Sequence, residues 1–213
     1  MKVLVACEYS GRVRDAFIAA GHDAISCDLL PTEQPGPHYQ GDVLDLVDAG
    51  FDLIIAHPPC TYLSVSGMHW TTRGLRDPAL TESALEFVRA LMNAPIERIA
   101  IENPVSVISS RIRKPDQIIQ PWQFGHDASK ATCLWLKNLP PLRSTAVIKK
   151  HRYGNQTANG HNKLAPSPDR WKERSRTYLY IAAAMANQWG IRETKTQMDW
   201  LMNEEYMERT CRI

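Results

Sequence analysis

The sequence predicts an α/β fold whose sheet is mostly parallel, with an antiparallel hairpin at one edge. Short apolar runs alternate with amphipathic helical patterns in the N-terminal half, which is typical of strands joined by crossover helices. Several strand candidates then crowd together before the last helix, which indicates the hairpin. The 213 residues, 44% of them hydrophobic and 23% charged, suit one domain of this class.

The first element is "KVLVA", a continuous apolar run that predicts a buried strand over 2–6. Val13 and Phe17 then fall at helical spacing, and Gly21 ends that helix. A second helix begins around Thr81, and a final one follows Tyr178. The remaining predicted strands lie at 23–27, 41–46, 52–56, 98–103, 118–124, 131–136 and 146–150, with polar connections at 61–78 and 151–170.

The cysteines and the charge limit the class of protein. The five cysteines are odd in number, scattered and without a C-x-x-C pair, which argues against a disulfide framework or a metal site and for a cytoplasmic location. The chain has no apolar run of about 18 residues, so no membrane span is expected. A formal net charge of +2 predicts weak long-range steering toward nucleic acid.

Polar or reactive residues follow several predicted strands. In parallel sheets, ligands bind at the carboxyl ends of the strands. Asp28 and Asp42 suit a nucleoside-containing cofactor, although an aspartate at a strand end is more often a cap or turn former. Cys60 and Glu102 each follow a strand and suit attack on a pyrimidine, with the thiolate adding to C6 and the acid acting at N3. Cys60 taken alone is equally compatible with apolar packing.

Longer segments carry a family resemblance. "HPPCTYLS" resembles the Pro-Cys loop of the cytosine-C5 DNA methyltransferases, and "IENPVS" resembles their Glu-Asn-Val strand end. "ACEYSGRVRDAFIAAGHDAISCD" is similar to their first cofactor motif, "GDVLD" to the segment that contacts adenine, and "RSRTYLYIAAAMANQWG" to their closing motif. The order and spacing fit over roughly 1–136, and the size is that of compact, phage-type members.

The resemblance implies a Rossmann-like, S-adenosylmethionine-dependent methyltransferase fold with a seven-stranded sheet. It implies methyl transfer to C5 of cytosine in DNA through a covalent Cys60 adduct, with the base flipped out of the duplex. It also implies a location in the host cytoplasm if the chain is phage-encoded. The implied sites are Cys60 and Glu102 for catalysis; Glu8, Tyr9, Ser10, Gly11, Asp28, Asp42, His57 and Pro58 for S-adenosylmethionine; and Pro59, Ser64, Asn103, Lys130, Thr132, Arg73 and Arg76 for the substrate.

The chain departs from the family pattern in its motifs, at the positions of the two family arginines and in its length. Its first motif has one glycine, Gly11, and Pro104 replaces the valine after Glu-Asn. Lys130 and Thr132 stand where the family has two arginines, so another arginine is expected to contact the base. The candidates are Arg111, Arg113 and Arg174.

The third departure is length. The interval at about 138–173 is too short for a full target-recognition domain, so we expect one catalytic domain over 1–190 with a short recognition loop, and a tail over 191–213. Sequence specificity would then be relaxed or supplied by a partner. Two alternatives stay open: an enzyme that modifies C5 of free pyrimidine nucleotides or of RNA with the same Cys and Glu, and a non-catalytic nucleic-acid-binding relative.

Overall fold

The computed structural model describes residues 1–191, and within them the backbone forms one seven-stranded sheet. The strands are β1 (Lys2–Ala6), β2 (Asp23–Asp28), β3 (His38–Gln40), β4 (Leu53–Ala56), β5 (Arg98–Pro104), β6 (Gln117–Ile119) and β7 (Thr132–Lys137). Their order across the sheet is β3-β2-β1-β4-β5-β7-β6.

The sheet is parallel except where β7 pairs with its neighbours. Strands β1 to β5 are parallel, whereas β7 runs antiparallel to both β5 and β6. The predicted architecture is therefore confirmed: an α/β, Rossmann-like fold with a mostly parallel seven-stranded sheet and an antiparallel hairpin at one edge. Because β1, β2, β4 and β5 are parallel, their carboxyl ends all lie on the same side of the sheet.

Helices cover both faces of the sheet. They are α1 (Arg12–Ala19), α2 (Val65–Thr72), α3 (Pro78–Met92), α4 (Ile108–Arg111), α5 (Arg170–Ser175) and α6 (Leu179–Trp189). One core joins α1 and α6 to the sheet through Phe17, Met185 and Trp189. The other joins α3 through Leu85 and Leu91. Continuous apolar strands buried between the two layers account for the early strand predictions.

Two strand predictions were wrong, and the one over 118–124 was too long, because β6 ends at Ile119 and Pro121–Gln123 forms a 3-10 turn. The third strand is 38–40 and not 41–46, where the backbone forms a 3-10 turn, Val43–Asp45. The Asp42 side chain accepts a hydrogen bond from the Leu44 amide and caps that turn, which removes the segment from the ladder. Residues 146–150 form no strand, because their only ladder contact is an isolated bridge from Ala146.

Helix α3 begins earlier than predicted, and helix α2 was missed. Helix α3 starts at Pro78, since Asp77 accepts a hydrogen bond from the Ala79 amide and proline is favourable in the first turn. Helix α2 lies inside the stretch that was predicted only as a polar connection, 61–78. No residue of α2 is buried, so its sequence lacks the apolar stripe by which helices are identified.

Among residues 1–191, no helix is both long and apolar enough to cross a bilayer. The predicted tail, 191–213, lies outside the described residues apart from Ile191. The assignment of 1–190 to a single domain stays a prediction.

Candidate active site

The ends of β4 and β5 bring the predicted nucleophile and acid to one place. The register pairs Ala56 with Ile101, so His57 and Glu102 occupy neighbouring positions, His57 directly after β4 and Glu102 near the end of β5. Cys60 follows three residues after His57 and is exposed. Burial of the sulfur and the negative charge of Glu102 together raise the pKa of the Cys60 thiol, which puts the two groups within electrostatic reach.

Backbone contacts fasten the Cys60 loop to the segment after Glu102. The Asn103 side-chain amide donates to the Pro58 carbonyl at 2.8 Å in a buried position. Beyond it, two short segments, 63–65 and 105–107, are joined by amide–carbonyl bonds of 3.1 Å and 2.9 Å. Ser64 contributes its backbone here through a bridge to Ser106. The loop therefore has a fixed place relative to β5.

Glu102 is held as a carboxylate by its neighbours. Burial raises its pKa, but the hydrogen bond from His57, the positive charge of Lys130 and a hydrogen bond from Thr132 outweigh burial and leave the pKa below the usual range. His57 Nδ1 lies 3.4 Å from Glu102 Oε2, a long contact. The structure thus brings His57, which the sequence had assigned to the cofactor, and Lys130 and Thr132, which it had assigned to the substrate, to the predicted catalytic acid Glu102.

Two cationic side chains from later segments of the sequence, Lys130 and Arg174, act on the Cys60 thiol. Lys130 and Arg174 both act to lower the pKa of Cys60, against burial and Glu102. The Lys130 ammonium donates to the Arg174 carbonyl at 2.8 Å. Of the three arginines that could contact the base, only Arg174 acts on the thiol in this way. The other two are paired elsewhere, Arg111 with Glu82 and Arg113 with Asp116.

The segment after Cys60 is held in place by contacts of its own. Arg76 donates to the Thr61 carbonyl at 2.8 Å and lies over the Tyr62 ring at 5.2 Å, so it stabilises the loop itself. Arg73 is exposed at the end of α2. Pro59 is exposed beside Cys60, whereas Pro58 is buried. Of the predicted phosphate contacts, Arg73 is the freer side chain.

The turn after β1 gives Glu8 a structural position. Its Oε1 accepts from the Val13 amide at 2.7 Å and from Ser10 Oγ at 3.0 Å, and Oε2 accepts from the Arg14 amide at 3.2 Å. Glu8 is 4% exposed. The carboxylate therefore caps the N-terminus of α1 from within the fold. The assignment of Glu8 and Ser10 to the cofactor stays a prediction beside this structural role.

Tyr9 and Gly11 are also engaged by the protein. The Tyr9 hydroxyl donates to the Lys172 carbonyl at 2.7 Å, and its ring packs against Trp171. Gly11 has a φ of 73°, and a Cβ there would meet the Arg14 guanidinium at 2.5 Å. Glycine is required here by the left-handed backbone and by this close approach within the protein.

Arg14 is a residue that the sequence analysis missed. It is fully buried, and its guanidinium donates to the carbonyls of Gln34, Pro35 and Pro37. The loop that follows Asp28 is therefore wrapped around one side chain of α1. The available signal was an arginine next to the apolar positions of that helix.

Carboxylates remain at the ends of β2 and β3, where a nucleoside could bind. Asp28 Oδ1 accepts from the Leu30 amide at 3.0 Å, and Asp42 Oδ1 from the Leu44 amide at 3.0 Å. Burial nevertheless raises the pKa of Asp28, because the amide donors do not fully offset the desolvation of its charged form. Both carboxylates also raise the pKa of the buried Cys7 thiol, after burial itself, so the three groups lie together. This set fits the hydroxyl and amine donors of S-adenosylmethionine.

Comparisons with known proteins give a limited result. No protein-family model and no curated protein matches the chain. Solved structures do resemble it, two of them from E. coli and Entamoeba histolytica. A prophage-encoded protein of E. coli, described as a DNA modification methyltransferase, has 14% identity and a TM-score of 0.41 over 64% of this chain and 46% of its own. The methyltransferase EhMeth of Entamoeba histolytica has 14% identity and a TM-score of 0.48 over 70% and 57%. The chain thus spans about half of the length of these structures.

Proposed function

We propose that this protein transfers a methyl group from S-adenosylmethionine to C5 of cytosine in DNA, through a covalent bond between Cys60 and C6. The observation that carries the proposal is the meeting of an exposed thiol with the carboxylate of Glu102 at adjacent strand ends. A nucleophile and an acid that face the same space suit addition across a pyrimidine ring.

The charges in the cleft define how the addition proceeds. Because the pKa of Cys60 is raised and that of Glu102 is lowered, the resting site holds a thiol and a carboxylate. Addition therefore moves one proton from the Cys60 sulfur to N3 of the base, and Glu102 is placed to carry it. Lys130 and Arg174 stabilise the thiolate as the proton leaves.

The end of the reaction reverses these roles. S-adenosylmethionine, held by Asp28 and Asp42, supplies an electrophilic methyl group to the C5 that addition has made nucleophilic. Loss of the C5 proton to solvent then restores the double bond as the Cys60 thiolate leaves C6, and the N3 proton returns through Glu102 to the sulfur. Because a stacked base does not expose C6 to a thiol, the target must leave the duplex.

The decisive experiment is mass spectrometry of DNA incubated with the protein and S-adenosylmethionine. We expect 5-methylcytosine with the parent protein and none with Cys60→Ala. DNA containing 5-fluorocytosine gives a second readout, because fluorine at C5 blocks the final elimination and leaves the covalent adduct in place. Methylation that persists in Cys60→Ala would exclude the covalent route.

A second candidate substrate is a pyrimidine in RNA or in a free nucleotide. It is favoured by the formal net charge of +2 and by the short interval at 138–173, which give limited surface for a duplex. The same incubation with RNA and with cytidine nucleotides separates the two. Binding to duplex DNA that weakens steeply with salt supports the first proposal.

A further inference from the structure

His57 occupies a position that the proposed chemistry does not yet use. Its Nδ1 faces Oε2 of Glu102 at 3.4 Å, and its side chain is 9% exposed against 16% for the glutamate. The β4–β5 register places the two residues next to each other, so the contact is a product of the sheet and does not depend on a mobile loop.

The other ring nitrogen determines the tautomer. His57 Nε2 is buried and has no hydrogen-bond partner among residues 1–191. A hydrogen on Nε2 would be a buried donor without an acceptor, which folded proteins avoid more strictly than an unpaired acceptor. The ring hydrogen therefore belongs on Nδ1, where it donates to Glu102 Oε2.

This contact distinguishes the two oxygens of Glu102. Oε2 accepts from His57, so a proton on the carboxyl group is favoured on Oε1. Protonation of a pyrimidine at N3 requires such a proton in one defined direction. A glutamate that could turn freely would present either oxygen to the base.

We propose that His57 is a positioning residue for Glu102: its Nδ1–H fixes Oε2 and leaves Oε1 to exchange the proton with N3 of the base. The inference deepens the proposed function and rests on it for the identity of the base. It replaces the earlier assignment of His57 to the cofactor. No bond other than the Oε1–H and N3–H bonds changes in this step, and His57 keeps its own hydrogen.

Other charged groups also act on this pair and must be held constant in a test. Lys130 lowers the pKa of Glu102, and Thr132 hydrogen-bonds to it. Cys60 and Cys133 are both influenced by the charge of Glu102. Asp28 lies within electrostatic reach of His57, because His57 acts to lower the pKa of Asp28.

The test uses two amides that imitate different ring nitrogens. In His57→Asn the side-chain NH₂ lies near the place of Nδ1, whereas in His57→Gln it lies near that of Nε2; His57→Ala has neither. The carbon-13 signal of the Glu102 carboxyl group, assigned with Glu102→Gln, is followed against pH in the full chain without ligand. We expect the midpoint to rise in His57→Ala and His57→Gln and to stay near the parent value in His57→Asn.

Activity gives a second readout. If the protein methylates cytosine, we expect kcat to fall about 100-fold in His57→Ala and His57→Gln, with the KM for S-adenosylmethionine unchanged and with recovery in His57→Asn. An equal midpoint in the parent and all variants overturns the inference, and so does a rise in KM without a change in kcat. Because the titration needs no turnover, a shifted midpoint without methylation would reject the proposed function and keep the contact. Should His57→Ala fail to fold, the Asn and Gln variants still decide.

Discussion

Glu102 and Asp28 both lie at the carboxyl ends of strands in one sheet, yet their surroundings have opposite effects. Burial raises the pKa of each. At Glu102 the hydrogen bond from His57 and the charge of Lys130 reverse that effect, so its pKa falls. At Asp28 the amides of Leu30 and Leu29 do not reverse it, so its pKa remains raised.

The difference indicates which partner each carboxylate lacks. Glu102 has a hydrogen-bond donor, His57, and a cation, Lys130, in place, so its negative charge is stabilised before any ligand binds. Asp28 carries a charge that burial disfavours and that a ligand with hydroxyl donors would stabilise. In the proposed function, the carboxylate that acts on the base is therefore stabilised by the protein itself, whereas the one assigned to the cofactor would be stabilised on binding.

The largest expected effect is the loss of Cys60. Cys60→Ala should reduce methyl transfer by at least about 1,000-fold, because no other thiol faces Glu102 from the exposed loop. The free energy of unfolding should hardly change, since the residue is exposed. Rate assays beside urea unfolding curves check both statements, and an active variant would remove Cys60 from the mechanism.

Glu102→Gln should lower kcat by about 100-fold to 10,000-fold, because the amide cannot carry the N3 proton. It also tests the electrostatics. A carboxyl group with a lowered pKa contributes stability above its unfolded pKa, and this contribution disappears as pH falls through the folded value. Unfolding curves of parent and variant should therefore differ at neutral pH and converge in acid. Curves that stay parallel down to acidic pH would contradict the assignment of Glu102.

Glu8→Gln should lower the free energy of unfolding by about 2 kcal/mol, because a buried carboxylate that accepts from two helix amides is replaced by a group with one acceptor. The matched control is Glu33→Gln, which removes a partly exposed ion pair with Arg176 and should cost about 1 kcal/mol or less. Urea midpoints measure both. Equal losses would mean that Glu8 is no more than a surface charge.

Asp28→Asn should have the smallest effect on stability and the opposite sign to Glu102→Gln. A carboxyl group with a raised pKa contributes stability below its unfolded pKa and loses it as pH rises through the folded value, so the variant should equal or slightly exceed the parent at neutral pH. The KM for S-adenosylmethionine should rise, since a ribose contact is weakened. Reduced stability with an unchanged KM would return Asp28 to a purely structural role.

The sequence predicts the central parallel strands of the sheet correctly, but not its edge strand β3. β4 is buried and apolar throughout and β1 is so after Lys2, so both strands stand out in the sequence. β3, by contrast, is the polar segment His38–Gln40 at the edge of the sheet, and its neighbour 41–46 looked more strand-like. Helix α2 escaped notice because it buries no side chain.

The candidate site divides in the same way. The residue types at 60 and 102 indicate their chemistry, because a thiol and a carboxyl group after buried strands have few equivalents. The partner of Glu8 is the backbone of α1, and backbone amides carry no residue signature. The His57–Glu102 contact depends on the register of two strands that are 45 residues apart, which no local pattern specifies.

The fastening of the Cys60 loop to the strand of Glu102 has a mechanical consequence. Because 63–65 is hydrogen-bonded to 105–107 and Asn103 donates to the Pro58 carbonyl, the backbone that carries the Cys60 sulfur is tied to the strand that carries the Glu102 carboxyl group. The distance between the Cys60 sulfur and the Glu102 carboxyl group is therefore largely set by the fold, so a ligand that contacts both must have a matching size. C6 and N3 lie opposite each other in a pyrimidine, so the two side chains would select a single six-membered ring.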